Sequence, residues 1–353
     1  MKNLQKYLTL LDEVDGLLLT SRYSRYYCTE ADIAEGVAIV TKNGCRYFTD
    51  SRYIETAQNT ICGFEVMQMM RGNPYSKLIN DAIAQFGIEK LGYEEGYLTV
   101  AEYASFQKEL HAELVPMGEK INSFRSVKES WELDRMREAQ KITDKAFEEV
   151  LTRIEAGMTE KQLQAELIYC LYKNGGEGLA FDPIVVSGPN TSLPHGVAGD
   201  RVIREGDFIT MDFGAVYKGY CADMTRTVAV GYATDEMRQV YDTVLAAQQA
   251  GIAATKAGVT GKEIDAAARQ VIADAGYGDY FGHGYGHSIG MECHEMPSCS
   301  PGGVVPMEIG MVTSAEPGIY IPGKFGVRIE DLVIFTADGC ENITKSPKNL
   351  IIV

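Results

Sequence analysis

Apolar positions recur along this chain with two distinct periods. GVAIVTKNGCRYFTD (36–50) places two strand-like runs around Asn43-Gly44 and is predicted to be a β-hairpin turning at that dipeptide. YSKLINDAIAQFG (75–87) carries Leu78, Ile79, Ala82, Ile83 and Phe86 at helical spacing. Further on, Leu133, Met136, Ala139, Ile142, Ala146, Val150 and Ile154 recur about every 3.6 residues, which predicts a long amphipathic helix from Glu132 towards Gly157. Thr159, with Gln162 three residues later, is a capping-box signature that opens a second helix. The mixed strand and helix pattern before residue 125 differs from the helical pattern after it. Two domains are therefore expected, a small α/β domain over 1–124 and a larger one over 125–353.

The larger domain repeats itself. A predicted helix over Asp235 to Thr255 leads into AGVTGKEI, which echoes the earlier AGMTEKQL, with Thr260 and Glu263 in the capping roles. EGDFITMDFG echoes EIGMVTSAEPG at an offset of 104 residues, which sets Gly206 against Gly310 and Asp212 against Glu316. A period near 100 with helix, helix, strand and hairpin in the same order implies two related halves. Facing halves would bring Asp212 and Glu316 to equivalent places about a pseudo-twofold axis.

Composition narrows the function. The chain is 45% apolar and 23% charged, as expected of a globular protein, and its net charge of −16 has no compensating Lys/Arg block. Nucleic acid and anionic membrane are therefore not expected partners. Asp12, Glu13 and Asp15 interrupt the first apolar run, and no apolar stretch is long enough to span a bilayer, so a cytoplasmic location is expected. The eight cysteines form no CxxC pair and fit a reduced compartment. Cys28, Cys45, Cys62, Cys170 and Cys340 read as small buried hydrophobes, while Cys221 and Cys293, beside the motifs below, read as accessible thiols.

Histidine is scarce. Four of the five lie in LPHG (His195) and HGYGHSIGMECHE (His283, His287, His294), and His111 falls on a charged, solvated stretch. Carboxylates in apolar strands are as conspicuous. ITMDFGAVYKGYCADMTRTVAV is predicted to fold back near Tyr217-Lys218-Gly219, with Asp212 directly opposite Asp223 on one face. Glu316 precedes PGIY, and Glu330 sits in an apolar strand, GVRIEDLVIF, where Asp331 faces the other way. His287 adds a nitrogen donor from a Gly-rich loop. Buried like charges require compensation. Four carboxylates and one imidazole balance two dications, and so oxygen-rich a set suits Mn2+ while tolerating Co2+, Fe2+ or Zn2+.

The ordered motifs PHG, MDFG, DMTRT, HGxGH, HE, EPGIY and VRIED resemble those of the pita-bread metallopeptidases, in particular aminopeptidase P and prolidase. The resemblance covers roughly 125 to 353. The first 124 residues are more loosely similar to the creatinase-like domain of those enzymes, chiefly through VTKNGCRYFTDSRY. It implies an α/β protein with a C-terminal pita-bread domain, a dinuclear centre on Asp212, Asp223, His287, Glu316 and Glu330, and Asp223 and Glu330 as the bridging pair. It further implies that His195, His283 and His294 line the substrate site, with Arg328 and Tyr320 supporting it. The implied activity is hydrolysis N-terminal to proline in Xaa-Pro peptides by a metal-bridging hydroxide, with Glu316 passing the proton, in a homodimer. Tyr285 and Ser288 depart from the smaller residues common in that family, and Tyr285 is expected to reshape the substrate's N-terminal subsite. Methionine-aminopeptidase-like or creatinase-like hydrolysis and a non-catalytic peptide-binding module stay open as alternatives.

Overall fold

The structure is a computed structural model and describes residues 2–72 and 74–353. The chain divides into two compact units, Met1–Phe124 and Arg125–Val353. Among the described residues, no helix is long and apolar enough to cross a membrane.

The first unit is built on a six-stranded mixed sheet. Its strands are β1 (Gly16–Leu19), β2 (Val37–Thr41), β3 (Gly44–Thr49), β4 (Glu65–Gln68), β5 (Lys90–Tyr93) and β6 (Glu113–Pro116), in the order β4-β3-β2-β1-β5-β6. The alternating residues Leu18, Ile39 and Phe48 bury one face against Leu78, Ile79 and Ile83 of helix α1 (Tyr75–Phe86), as the helical spacing predicted. The hairpin forms one residue earlier than expected. Thr41 pairs with Gly44, so Lys42-Asn43 is the turn and Gly44 opens β3. The thiols are unpaired, and Cys28 and Cys170 are buried as expected. Cys45 and Cys340 are half-buried, and Cys62 is exposed in the turn after the helix Ile54–Thr60.

The second unit repeats one arrangement. Helices α2 (Ser130–Leu151) and α3 (Glu160–Lys173) cover a sheet that contains β8 (Ile184–Ser187), β9 (Phe208–Phe213) and β12 (Met224–Ala229), in the order β12-β9-β8. A short side sheet holds β7 (Gly178–Leu179), β10 (Ala215–Tyr217) and β11 (Tyr220–Cys221). Ile142, Phe147, Leu163 and Leu167 of the helices meet Val185, Ile209, Met211 and Val228 of the strands in one core. Helices α4 (Asp235–Ala254) and α5 (Gly261–Asp274) do the same over β13 (Gly286–Ser288), β14 (Glu295–Cys299), β15 (Val312–Ala315), β18 (Asp331–Phe335) and β19 (Cys340–Asn342). A hairpin of β16 (Gly318–Ile321) and β17 (Phe325–Arg328) completes the unit.

The repeat is visible residue by residue. Thr159 and Thr260 cap α3 and α5 through their hydroxyls, with Gln162 and Glu263 reciprocating. Each capping threonine also bridges a later segment, Thr159 to Val202 and Thr260 to Pro306, and these partners are 104 residues apart, like the starts of β9 and β15. The α2 helix starts earlier than Glu132, because the Glu132 carboxylate reaches back to the Glu129 N–H at 2.8 Å. It stops at Leu151, and a short connection then carries the chain to Gly157, whose φ of 103° lies in the left-handed region.

Opposite the future site, Arg226 and Asp331 form a buried ion pair at 2.8 Å, and Arg226 also donates to the carbonyls of Ser346 and Pro347. Removing one partner of a buried pair costs about 3–5 kcal/mol, because the other charge stays buried. Asp331, however, keeps Lys348 at 2.7 Å when Arg226 is removed, so Arg226→Ala should lower stability in urea unfolding by about 1–3 kcal/mol, chiefly for the buried acceptors left without a donor. Adding Asp331→Ala should cost less than the sum of the two single changes.

Candidate metal centre

All five expected donors face one cavity of about 630 Å³ within the second unit. Asp212 is the fifth residue of β9. Asp223 sits in the break between β11 and β12, Glu316 follows β15, and Glu330 lies between β17 and β18. His287 is the central residue of β13, a strand, where a loop was expected. Glu330 is the converse case: it lies outside strand structure where a strand was expected, since GVRIEDLVIF divides into β17 and β18. Asp212, Asp223 and Glu330 are buried, and His287 and Glu316 are half-buried.

The Asp212 hairpin has a different register from the one expected. Tyr217 pairs with Tyr220, and Lys218-Gly219 forms the turn with φ of 46° and 78°. Positive φ at both central residues is the type I′ geometry that suits the twist of the flanking strands. The turn centre moves by one residue, so Asp212 opposes Thr225, not Asp223. This displaces each pairing by two residues, which keeps the face. Asp223 therefore still points with Thr225 towards Asp212, diagonally and not directly across. Gly214 permits the crossing, because a Cβ there would run into the Ala222 carbonyl oxygen.

Hydrogen bonds fix the donors. His287 Nδ1 lies 3.1 Å from the Ser288 carbonyl, which can only accept, so Nδ1 carries the proton. Nε2 then offers its lone pair 3.3 Å from Glu316 Oε1 and 3.5 Å from Asp223 Oδ2. Ser314 Oγ donates to Glu316 Oε1 at 3.1 Å, and Thr225 Oγ1 donates to Glu330 Oε2 at 2.6 Å. Arg328 donates to Asp212 Oδ2 at 2.6 Å, to Thr225 Oγ1 at 3.0 Å and to Tyr320 OH at 2.8 Å. Thr225 and Ser314 did not stand out in the sequence. Their signal was period two, since each lies two residues from an acidic donor, on the same face.

What remains unsatisfied is the informative part. Asp212 Oδ1, Asp223 Oδ1 and Glu330 Oε1 are buried without a hydrogen-bond partner. Burial, followed by the charges of neighbouring carboxylates, pushes Asp223 and Glu330 well above the usual carboxylate range. Burial raises Glu316 as well and lowers His287, favouring neutral imidazole. Donor atoms of Asp223, His287 and Glu330 lie within 4.8 Å of one another. Orphaned acidic oxygens converging with a neutral imidazole nitrogen are what divalent cations require, so the residues fit such ions.

The remaining site residues surround this cluster. His195 and His294 are exposed at the cavity, and His283 is half-buried. His283 Nδ1 donates to the Gly284 carbonyl at 2.8 Å, so neutral His283 accepts from Tyr320 OH at Nε2, at 2.9 Å. Burial lowers the His283 pKa, and burial with the nearby His287 lowers that of His294. Two expectations fail here. Cys221 is buried, with its thiol on the Met291 carbonyl, while Cys293 lines the cavity 3.4 Å from Asp223 Oδ2. Tyr285 does not shape a subsite: it is fully buried, hydrogen-bonded to the Gln248 carbonyl and packed where Gly251 leaves room. Ser288 is also buried, donating to the Pro297 carbonyl.

Comparison with known proteins agrees with this architecture. Residues 134–337 match the model of metallopeptidase family M24, and residues 1–127 match the creatinase/prolidase N-terminal domain. The chain is 44% identical to the uncharacterized peptidase YqhT of Bacillus subtilis, over 96% of each chain. A solved Xaa-Pro dipeptidase from Bacillus anthracis superposes with a TM-score of 0.96 at 42% identity, covering 100% of this chain and 99% of that one. An X-Pro aminopeptidase from Thermotoga maritima gives 0.93 at 35% identity, over 99% of each chain. The second unit is thus a pita-bread metallohydrolase domain preceded by a creatinase-like one. The chain belongs to metallopeptidase family M24, whose members work with divalent metal ions.

Thr225 offers a test of the supporting network. Thr225→Val keeps shape but leaves Glu330 Oε2 and Arg328 Nε without their shared partner. Unfolding in urea should show a loss of about 1–3 kcal/mol. Metal affinity, read by equilibrium dialysis, should fall by about 10–100-fold.

Proposed function

We propose that this protein is a metal-dependent Xaa-Pro peptidase, cleaving the peptide bond N-terminal to proline. One observation carries the site reading: Asp212, Asp223 and Glu330, each with a buried, partnerless carboxylate oxygen, line one cavity with His287, and donor atoms of Asp223, Glu330 and His287 lie within 4.8 Å of one another. The activity itself is supported by similarity to an Xaa-Pro dipeptidase and an X-Pro aminopeptidase over nearly the whole chain. Asp212, Asp223, His287, Glu316 and Glu330 would hold two divalent ions, Mn2+ foremost. When bound, such ions acidify a water and polarise the scissile carbonyl.

The chain's own groups do the rest. Glu316, half-buried at the cavity, would take a proton from the attacking water and deliver it to the leaving proline nitrogen. Arg328 holds Asp212 and Tyr320 in place, and Tyr320 in turn holds His283 at the cavity wall. His195 and His294 stand exposed at the cavity, where the substrate would lie, and His294 would donate to the carbonyl oxygen as it gains charge. Proline lacks an N–H, so a cleft without an acceptor at that point loses nothing with it. A homodimer in the cytoplasm belongs to the same proposal, the dimer resting on the family resemblance and the compartment on the unpaired thiols.

Matched peptides test the activity. With Mn2+ supplied, Xaa-Pro and Xaa-Pro-Yaa should be hydrolysed and their Xaa-Ala counterparts left nearly intact. Exhaustive chelation should abolish turnover, and Mn2+ should restore it. Equal kcat/KM for proline and alanine substrates would falsify the specificity.

The histidines should separate by role. His294→Ala is expected to lower kcat by about 10²–10³ while both ions stay bound, as for loss of one oxyanion donor. His287→Ala should instead lower metal content, measured by elemental analysis of the dialysed protein. The reverse pattern would exchange the two assignments.

A further inference from the structure

Cys293 is a cavity-lining side chain for which the reaction proposed above has no use. It sits in the turn between β13 and β14, and that turn is rigidly held. The Glu295 carboxylate accepts from the Met291 and Glu292 N–H groups at 3.1 and 3.3 Å, and is itself paired with buried Lys128 at 3.0 Å. Cys293 Sγ is thereby fixed at the cavity, beside Asp223, whose Oδ1 is buried and without a partner. Two imidazoles, His287 and His294, lie against each other nearby, with ring centroids 4.2 Å apart. Donor atoms of His287, Cys293 and His294 all lie within 4.8 Å of one another.

We propose that His287, Cys293 and His294 form a second coordination set for a thiophilic dication such as Zn2+ or Cd2+, overlapping the carboxylate centre at His287. Zinc bonds of about 2.3 Å to sulfur and 2.0–2.1 Å to nitrogen at tetrahedral angles set such donors about 3.3–3.6 Å apart, so closing the set takes side-chain shifts of about 1 Å, which the exposed His294 can supply in part. Solvent reaches the fourth position through the cavity. Coordination forms one metal–sulfur bond and breaks the S–H bond, and the proton leaves to water. Hard ions such as Mn2+ prefer the carboxylates, and soft ions prefer the thiolate and imidazoles. His287 has one free nitrogen and cannot serve both sets. Excess soft metal therefore draws His287 away from the carboxylate centre and inhibits. Only this inhibition rests on the peptidase function proposed above.

Cd2+ added to the metal-free protein is the direct probe, read by the near-ultraviolet thiolate-to-metal charge-transfer band. Wild type should gain the band with about one equivalent of Cd2+, Cys221→Ser should keep it, and Cys293→Ser should lose it. Prior loading with Mn2+ should raise the Cd2+ concentration needed by about tenfold or more. A band that survives in Cys293→Ser, or that never forms in wild type, overturns the site. These spectra require no turnover, so they stand even if the Xaa-Pro activity is refuted. Where the Mn2+ enzyme turns over, excess Zn2+ should inhibit wild type strongly and Cys293→Ser weakly, and equal inhibition overturns the competition.

Discussion

Four carboxylates and an arginine sit together in the wall of one cavity, and much of the second unit's architecture answers that concentration of charge. Asp212, Asp223 and Glu330 leave three oxygens without partners in the protein. Each such group costs on the order of a few kcal/mol by transfer estimates, more when charged. Arg328 offsets part of this through Asp212, and Thr225 and Ser314 satisfy one oxygen each on Glu330 and Glu316. The remainder is what dications supply. Folding and metal binding are therefore thermodynamically linked, and the free energy of loading contributes to stability.

The scaffold meets this demand by repetition. Two helix pairs, capped alike at Thr159 and Thr260, each cover one face of a sheet. The repeated strands β9 and β15 then deliver Asp212 and Glu316 at corresponding points. The halves are stitched where β12 meets the end of β17. Thr227 exchanges hydrogen bonds with the Arg328 backbone, and the Glu330 N–H donates to the Thr225 carbonyl at 3.1 Å. The stretch that joins the halves thus also carries Arg328 and Glu330. Strand alternation turns Thr225 towards the centre and Arg226 to the opposite side, where it pairs with Asp331. A single strand in this way separates a structural ion pair from the chemistry.

The two cysteines beside the motifs show how little proximity in sequence says about environment. Cys221 and Cys293 are equally near acidic or histidine motifs. Cys221 ends a two-residue strand and turns inward to the Met291 carbonyl. Cys293 sits at the apex of a turn and turns to Asp223. Burial raises both thiol pKa values, so neither is an activated nucleophile.

The sequence alone determined what local periodicity and local chemistry encode. The apolar spacing of 75–86 and 133–150 gave two helices, the Thr-x-x-Gln/Glu signatures gave two caps, and the echo at 104 residues gave the doubled architecture. It also singled out five donors that the fold brings to one cavity. Tertiary structure decided what depends on partners far along the chain. The sheet that sets β9 between β8 and β12 placed Asp212 opposite both Ile184 and Thr225. Pairing with β14 and β15 made a strand of the segment bearing His287. Packing against α4 took Tyr285 out of the cavity, and alternation on β12 and β15 recruited Thr225 and Ser314. Period and capping act within one turn or one strand, where neighbours in sequence are neighbours in space. Register and burial are fixed by contacts up to a hundred residues away, and no local pattern carries them.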